Sequence, residues 1–336
     1  MKISKKVIVT GGLGFIGSHI VRLLLKKNYK VLNLDKISYS SQRNFNPLKN
    51  YRFKRQDIAS KIVKDTIIDY KPDFIINCAA ETHVDRSITN SDEFVKSNIL
   101  GTHNILESCL KLNQCKLIHI STDEVFGSLR YKDKKFSLNS PYDPKSPYSA
   151  SKASADHLVR SYGHTYGLNY SITNCSNNYG PYQYPEKLIP LVINSCINKK
   201  TIPIYGNGKN IRDWIYVEDH ARAIISIMKQ FTSGKTYLIG GNCEKNNLEV
   251  VKIICEIFKK KYNFNYYKLI RFVKDRKGHD FRYAINNYKT INEIKWKPKI
   301  NFRNGINKTI NFYIENKDNL YKIFKFDKWI KKKLGN

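Results

Sequence analysis

The stretch "STDEVFG", residues 121–127, sets Asp123 beside Glu124 where "KLIHI", a run that reads as a buried strand, gives out. Burying one charge is costly and burying two adjacent charges costs more. Strand ends often carry Asp and Glu simply because they turn into loops, so the pair needs company to mean chemistry. Two adjacent carboxyls with separated pKa values can divide the work of a general acid and a general base. A second pair lies in "SPYSASKASADHLV", where Tyr148 and Lys152 are four apart and share one helix face. Ser146 suits the N-cap of that helix and Pro147 its first position. A phenol, with a reference pKa of about 10, is a poor base at neutral pH. A neighbouring ammonium favours the phenolate and makes it a usable one. Tyr-x-x-x-Lys is common by chance, and alone it is an exposed helix pair.

The third stretch, "KVIVTGGLGFIGSHI", is a strand, a glycine-rich turn and a helix start. It satisfies Gly11-x-x-Gly14-x-x-Gly17 and also Gly12-x-Gly14-x-x-Gly17. Glycines there let the backbone approach a pyrophosphate, whose charge rests on the helix N-terminus. The next strand ends in Asp35, placed to hold ribose hydroxyls. A carboxylate would repel a 2′-phosphate, so NAD is expected rather than NADP, with Lys36 as a small counterweight. Asp57 is placed for the adenine and "NCAAETHVD" for the nicotinamide side. A positive nicotinamide ring would further favour the Tyr148 phenolate.

The elements that position these groups alternate through the first two-thirds of the chain. "KVIVT", "KVLNLD", "RFKRQDI", "DFIINCAA", "KLIHIST" and "YSITNCS" read as short apolar strands, with helical stretches between most of them. That pattern predicts an α/β fold, a Rossmann-type doubly wound parallel sheet with helices on both faces and right-handed crossovers. Beyond Asn177 the texture loosens into "NNYGPYQYPEKL" and "PIYGNGKNIRDW", and "TYLIGG" then returns as a strand. The expected division is a dinucleotide-binding domain over 1–176 plus a return segment 213–240. A smaller, interleaved substrate domain takes 177–212 and 241–325, followed by a basic tail at 326–336.

The 336 residues can bury a large core, and 41% hydrophobic with 26% charged residues fits a soluble globular protein. No stretch reaches the roughly 18 apolar residues a membrane helix needs, and the N-terminus reads as a first strand. Seven cysteines form no CxxC pair, which predicts a reducing, cytoplasmic compartment, and no metal is expected. The formal charge of +31 invites a nucleic-acid reading. The excess is mostly lysine spread along the chain among Asn, Ile and Tyr, with no zinc-finger or RNA-recognition signature. It is read as a compositional bias that favours an anionic substrate, with no nucleic-acid or membrane partner.

Taken together, the chain resembles an extended short-chain dehydrogenase/reductase and, within it, the dTDP-glucose 4,6-dehydratases. The likeness runs from about Lys6 to Trp296 through "GGLGFIGS", "NLDKISYS", "CAAETHVDRSI", "STDEVFG", "SPYSASKASADHL", "NCSNNYGPYQYPEKLIP", "RDWIYVEDHARA" and "DRKGHDFRYAI". The glycine motif and the Tyr/Lys pair specify only the superfamily, and Thr122-Asp123-Glu124 narrows it to the dehydratases. The resemblance implies that Tyr148 takes the 4-hydroxyl proton of a nucleotide-linked glucose while Thr122 hydrogen-bonds the same oxygen, with Lys152 beside them. It makes Glu124 the base at carbon 5 and Asp123 the acid at oxygen 6. It implies cofactor contacts from Gly11, Gly14, Phe15, Ile16, Gly17, Asp35, Lys36 and Ser38. Others come from Asp57, Ile58, Ala79, Ala80, Thr82, Asn98 and Asn178, with Tyr148 and Lys152. For the nucleotide sugar it implies His83, Ser87, Asn177, Lys187, Leu188, Pro203 and Tyr205, with Arg212, Asn247, Arg276 and His279. Arg212 suits a bidentate phosphate grip. Lys277 replaces the usual proline of the "DRPGHD" segment, and Leu138 stands where an acid is common. A homodimer, through "SDEFVKSNILGTHNILESCL" and the Tyr148 helix, is implied, and rhamnose-type deoxysugar synthesis is the destination. Uracil in place of thymine stays open, since one methyl is worth only about 1–3 kcal/mol. The competing readings are an epimerase or decarboxylase of the same fold, a nucleic-acid-binding protein on a retired scaffold, and an NAD-sensing regulator.

Overall fold

A computed structural model describes residues 5–42 and 49–323. Seven strands build the central sheet: β1 (Lys6–Thr10), β2 (Lys30–Asp35), β3 (Tyr51–Arg55), β4 (Phe74–Asn77), β5 (Lys116–Thr122), β6 (Tyr170–Cys175) and, much later in the chain, Lys235–Ile239. The intervening strands are β7 (Asn177–Tyr179), β8 (Ile202–Tyr205) and β9 (Ile211–Tyr216), which makes Lys235–Ile239 β10. The sheet order is β10-β6-β5-β4-β1-β2-β3, and every neighbouring pair is parallel. The doubly wound expectation therefore holds, and the return of "TYLIGG" supplies the edge strand next to β6.

Strand alternation explains how both faces are covered, because successive residues point to opposite sides. Val7 and Val9 join Ile20, Val21 and Leu24 of the Phe15–Lys26 helix and Ile224 and Met228 of the Val217–Lys229 helix in one buried cluster. Ile8, between them, joins Ile67, Ile105 and Val159 from helices on the other face. β3 differs: four of its five residues are exposed, as a charged edge strand should be.

Two smaller sheets complete the structure. β11 (Glu244–Asn246) lies antiparallel on β9, which pairs in parallel with β7, and β12 (Ile270–Val273) pairs with β8. They share a separate core with the helices Leu188–Ile197, Asn247–Tyr262 and Phe302–Glu315, built around Val192, Ile254, Phe258, Ile306 and Tyr313. The basic tail at 326–336 lies outside the described residues. In the central sheet the order reverses at β1 and β4, and open parallel sheets bind ligands beyond the strand carboxyl ends at such a point.

Candidate active site

The turn after β1 is a backbone cradle. Gly11 has φ +66°, and a Cβ there would sit 2.7 Å from the Ala79 Cα. A Cβ on Gly17 would collide with the Gly11 carbonyl. The space that side chains would fill is left open at the start of the Phe15–Lys26 helix, where the peptide N–H groups and the dipole attract a phosphate. Asp35 is fixed beside it by the Leu13 N–H at 3.0 Å, the Ile37 N–H at 2.8 Å and the Ser41 hydroxyl at 3.0 Å. Burial pushes its carboxyl up, and those three donors work against the shift. Lys36 turns to Glu81 at 2.9 Å and donates to Ser97 at 3.0 Å. Its ammonium is thereby occupied by a protein carboxylate.

One cleft is lined by the glycine turn with Phe15 and Ile16, then by Asp35, Lys36, Ser38, Asp57 and Ile58. Ala79, Ala80, Thr82 and Asn178 continue the wall to Thr122, Asp123, Glu124, Tyr148 and Lys152. Asn98 is the exception among the expected cofactor residues. It sits buried in a π-helical turn, Val95–Leu100, where its amide bonds both backbone groups of Glu81 and the Ser151 hydroxyl. It shapes the cleft wall from behind. Such turns recur at functional sites.

β5 delivers the carboxylate pair. Its last residue, Thr122, caps a 3₁₀ turn, Asp123–Phe126, by accepting the Glu124 N–H at 3.3 Å. Asp123 is buried, its Oδ1 lies 3.5 Å from the Thr122 Oγ1, and its Oδ2 is buried without a hydrogen-bond partner among the described residues. Burial, then the charges of Glu124 and Asp213, push the Asp123 carboxyl well above the usual range. Glu124 is half-buried. Burial raises it too, while Arg276, Lys187 and Arg212 pull it back.

Tyr148 opens the Pro147–Tyr166 helix behind a Ser146/Ser149 capping box and is buried. Burial and then Glu124 raise its phenol well above the ordinary value, and a hydrogen bond with Thr122 opposes them. The protein's own charges thus work against the phenolate expected from the sequence. Lys152 donates to the Ile120 carbonyl at 2.7 Å. Burial lowers its pKa, and the Asp156 carboxylate opposes that most.

The substrate-side residues divide. Asn177 and Lys187 line the same cleft, and Lys187 donates to the Thr82 carbonyl at 2.8 Å. Tyr205 and Arg276 meet at Asp85, at 3.0 and 3.5 Å, and His279 bonds Asp275 at 2.6 Å. Burial, then Arg276, hold the His279 imidazole down at about 4, so it is neutral. Arg212 is buried, stacked 4.2 Å over the Tyr283 ring, with three N–H groups on the carbonyls of Ile211, Phe281 and Asp280. Of its five donors, two remain for a phosphate. His83 and Ser87 are buried, the latter bonding the Val84 carbonyl. Leu188 and Asn247 begin their helices, and Pro203 pairs with Arg271 between β8 and β12.

Three groups around the site escape the sequence reading. Glu186 accepts from Arg86 at 3.0 Å and from the Tyr39 hydroxyl at 3.0 Å, with the guanidinium 3.8 Å over the Tyr39 ring. Asp213 accepts the N–H groups of Gly241 and Cys243 at 3.1 and 2.6 Å. Asp156, buried behind Lys152, receives Ser121 at 2.8 Å, Tyr142 at 2.8 Å and Asn174 at 3.2 Å, with the His119 ring at 3.4 Å. His119 in "KLIHI", a polar residue inside an apolar run, was the visible signal of that network.

The family model described as GDP-mannose 4,6 dehydratase matches residues 8–309. A probable dTDP-glucose 4,6-dehydratase of Sinorhizobium fredii is 47% identical over 327 residues, covering 93% of both chains. The dTDP-glucose 4,6-dehydratase of Escherichia coli is 44% identical over 342 residues, covering 93% of this chain and 94% of its own. Among solved structures, a Streptomyces venezuelae dTDP-glucose 4,6-dehydratase with NAD bound superposes with a TM-score of 0.87 at 38% identity, covering 93% of this chain and 98% of the other. By matched motifs, identity and coverage, this chain belongs to the dTDP-glucose 4,6-dehydratase family.

Proposed function

We propose that this chain is an NAD-dependent hydro-lyase that converts dTDP-glucose to its 4-keto-6-deoxy sugar nucleotide. The observation that carries the reading is the Asp123–Glu124 pair at the end of β5, beside Tyr148: burial raises both, the charges of Glu124 and Asp213 add to that at Asp123, and Arg276, Lys187 and Arg212 oppose it at Glu124. Pairs whose environments push their pKa values apart divide acid and base work. An epimerase or decarboxylase of the same fold has no use for both.

The cradle fits a dinucleotide: Gly11, Gly14, Phe15, Ile16 and Gly17 face the diphosphate, Asp35 the ribose, and Asp57 and Ile58 the adenine. Ala79, Ala80, Thr82 and Asn178 border the nicotinamide end. Bound there, NAD supplies a reversible hydride acceptor for the sugar. Tyr148 takes the 4-hydroxyl proton, with Thr122 on the same oxygen. The 4-ketone acidifies carbon 5, whose proton goes to Glu124. Asp123, whose carboxyl burial pushes toward the protonated form, gives its proton to the departing 6-hydroxyl. Glu124 then returns its proton to carbon 5. Arg276, Lys187 and Arg212 keep Glu124 available as a base.

The reading assigns 1–176 with 213–240 to the cofactor and 177–212 with 241–325 to the sugar nucleotide, and the separate core around Val192 and Phe258 supports that division. It includes a homodimer through segment 91–110 and the Tyr148 helix, supported by exposed Val95 and Leu100. Seven free cysteines support a cytoplasmic setting. Mass spectrometry of products from dTDP-glucose and UDP-glucose in parallel tests the reading: a loss of one water from the dTDP sugar is expected, and an isomer of unchanged mass would overturn it.

A further inference from the structure

We propose that the Thr122 hydroxyl carries a proton from Tyr148 back to Asp123 at the end of each turnover, resetting the acid and the base together. The inference rests on the dehydratase reading above and follows from counting its protons. Glu124 takes the carbon-5 proton and gives it back, so it ends as it began. Tyr148 gains the 4-hydroxyl proton, and Asp123 loses one to the leaving water. Substrate and product differ by one water, so nothing in the overall reaction corrects this. Tyr148 and Asp123 share one proton between them, and each cycle leaves it on the wrong partner.

Thr122 sits between the two. Its hydroxyl has two lone pairs and one proton to offer. One lone pair accepts the Glu124 N–H at 3.3 Å. The hydroxyl also faces the Asp123 Oδ1 at 3.5 Å and lies near enough to the Tyr148 phenol to pull its pKa down. With the second lone pair toward Tyr148, its proton is left for Asp123, which is the arrangement a relay needs. Asp123 Oδ2, buried and without a partner among the described residues, stays available to the 6-hydroxyl. One carboxyl oxygen thus faces the relay and the other serves the substrate. Cys175, another hydrogen donor near both groups, commits its S–H to the Ser121 carbonyl at 3.3 Å. Asp123 is 1% exposed, which keeps bulk water from doing the same work.

In the return step the Tyr148 O–H bond breaks as the Thr122 oxygen takes that proton. The Thr122 O–H bond breaks as Asp123 Oδ1 takes the other. No electrons change hands. Strong O–H···O bonds span about 2.7–2.8 Å, so the transfer to Asp123 needs a closing movement of about 1 Å or less.

The test separates the first turnover from later ones in wild type, Thr122→Val and Thr122→Ser, using dTDP-glucose with enzyme in excess and then in deficit. Thr122→Val should slow the first water loss about tenfold, the cost of one hydrogen bond to the 4-oxygen. Later turnovers should slow about a hundredfold or more. Product then appears as a burst equal to the enzyme concentration followed by a slow phase, and Thr122→Ser shows no burst. Equal slowing of both phases would overturn the relay and leave Thr122 only holding the 4-oxygen. Absence of dehydrated product in the wild-type first turnover would instead defeat the dehydratase reading. Should Thr122→Val not fold, Thr122→Ala removes the same hydroxyl, and equal slowing of its first and later turnovers overturns the proposal.

Discussion

Replacing Glu124 with Gln keeps the shape of the side chain and removes one negative charge from the most charged corner of the cleft. Two consequences of opposite sign follow. The base for carbon 5 is gone, and losing a general base costs about a hundred- to ten-thousand-fold. Exchange of the carbon-5 hydrogen with solvent should fall by that factor. At Tyr148 the change is favourable, because after burial the charge of Glu124 is the largest influence holding the phenol protonated. A like-signed neighbour disfavours the charged form, and each tenfold change in an equilibrium is worth about 1.36 kcal/mol. Oxidation at carbon 4 requires the phenolate, so its rate climbs as pH rises through the phenol pKa. In Glu124→Gln that climb should move toward lower pH. Stopped-flow absorbance of the cofactor reads the first step across pH, and mass spectrometry in D₂O reads wash-in at carbon 5. The expected result is a variant that oxidises its substrate at lower pH yet exchanges almost no carbon-5 hydrogen. Wash-in near the wild-type rate, or a climb displaced upward, would refute the reasoning.

Gly17→Ala should abolish retention of NAD, because the new methyl collides with the Gly11 carbonyl; chromatography of acid-released cofactor from purified protein checks this, and NADP predominating in the wild type would contradict the part given to Asp35. Asp156→Asn should destabilise the fold by about 3–5 kcal/mol, since it breaks a buried charge arrangement. Because its hydrogen bonds and the His119 ring hold the folded Asp156 below its ordinary value despite burial, its contribution is present at neutral pH and fades as pH falls below about 4. Denaturation of both proteins at neutral and acid pH should show the gap narrowing. Neutralising lysines in the C-terminal segment 326–336 should leave turnover within about twofold of wild type, since no motif ties that segment to the chemistry. Tight, steeply salt-dependent binding of the intact protein to DNA would count against the compositional view of its charge.

What could be read in the sequence was whatever is set by spacing along the chain. Gly11 to Gly17 fix a turn locally, Tyr148 and Lys152 share a helix face by periodicity, and Thr122 to Glu124 are consecutive. The parallel sheet followed from the alternation of short apolar runs with helical ones. What escaped depends on pairings across the fold. Lys36 looked like a counterweight to NAD until Glu81, from the loop after β4, was seen to occupy it. Arg212 reads as a bidentate phosphate grip, and the carbonyls that take three of its donors, two of them near residue 280, cannot be seen in the sequence. Asn98, a cofactor contact by resemblance, braces Glu81 from a π-helical turn that no propensity marks. Asp213 and Asp156 are ordinary in sequence and become special only through the charges that packing brings beside them.

The contact of Glu186 with Arg86 and Tyr39 bears on how this protein can be recombined. Glu186 lies in the segment leading to the Leu188–Ile197 helix, while its two partners follow β4 and β2 of the central sheet. A swap that imports segments 177–212 and 241–325 from a relative, and leaves the rest behind, would strand a buried carboxylate if positions 39 and 86 did not match. Chimeras cut at residue 176 should therefore succeed or fail by the identity of two side chains far upstream of the cut. The unit of exchange in this molecule is the seam between its cores, carried on both sides at once.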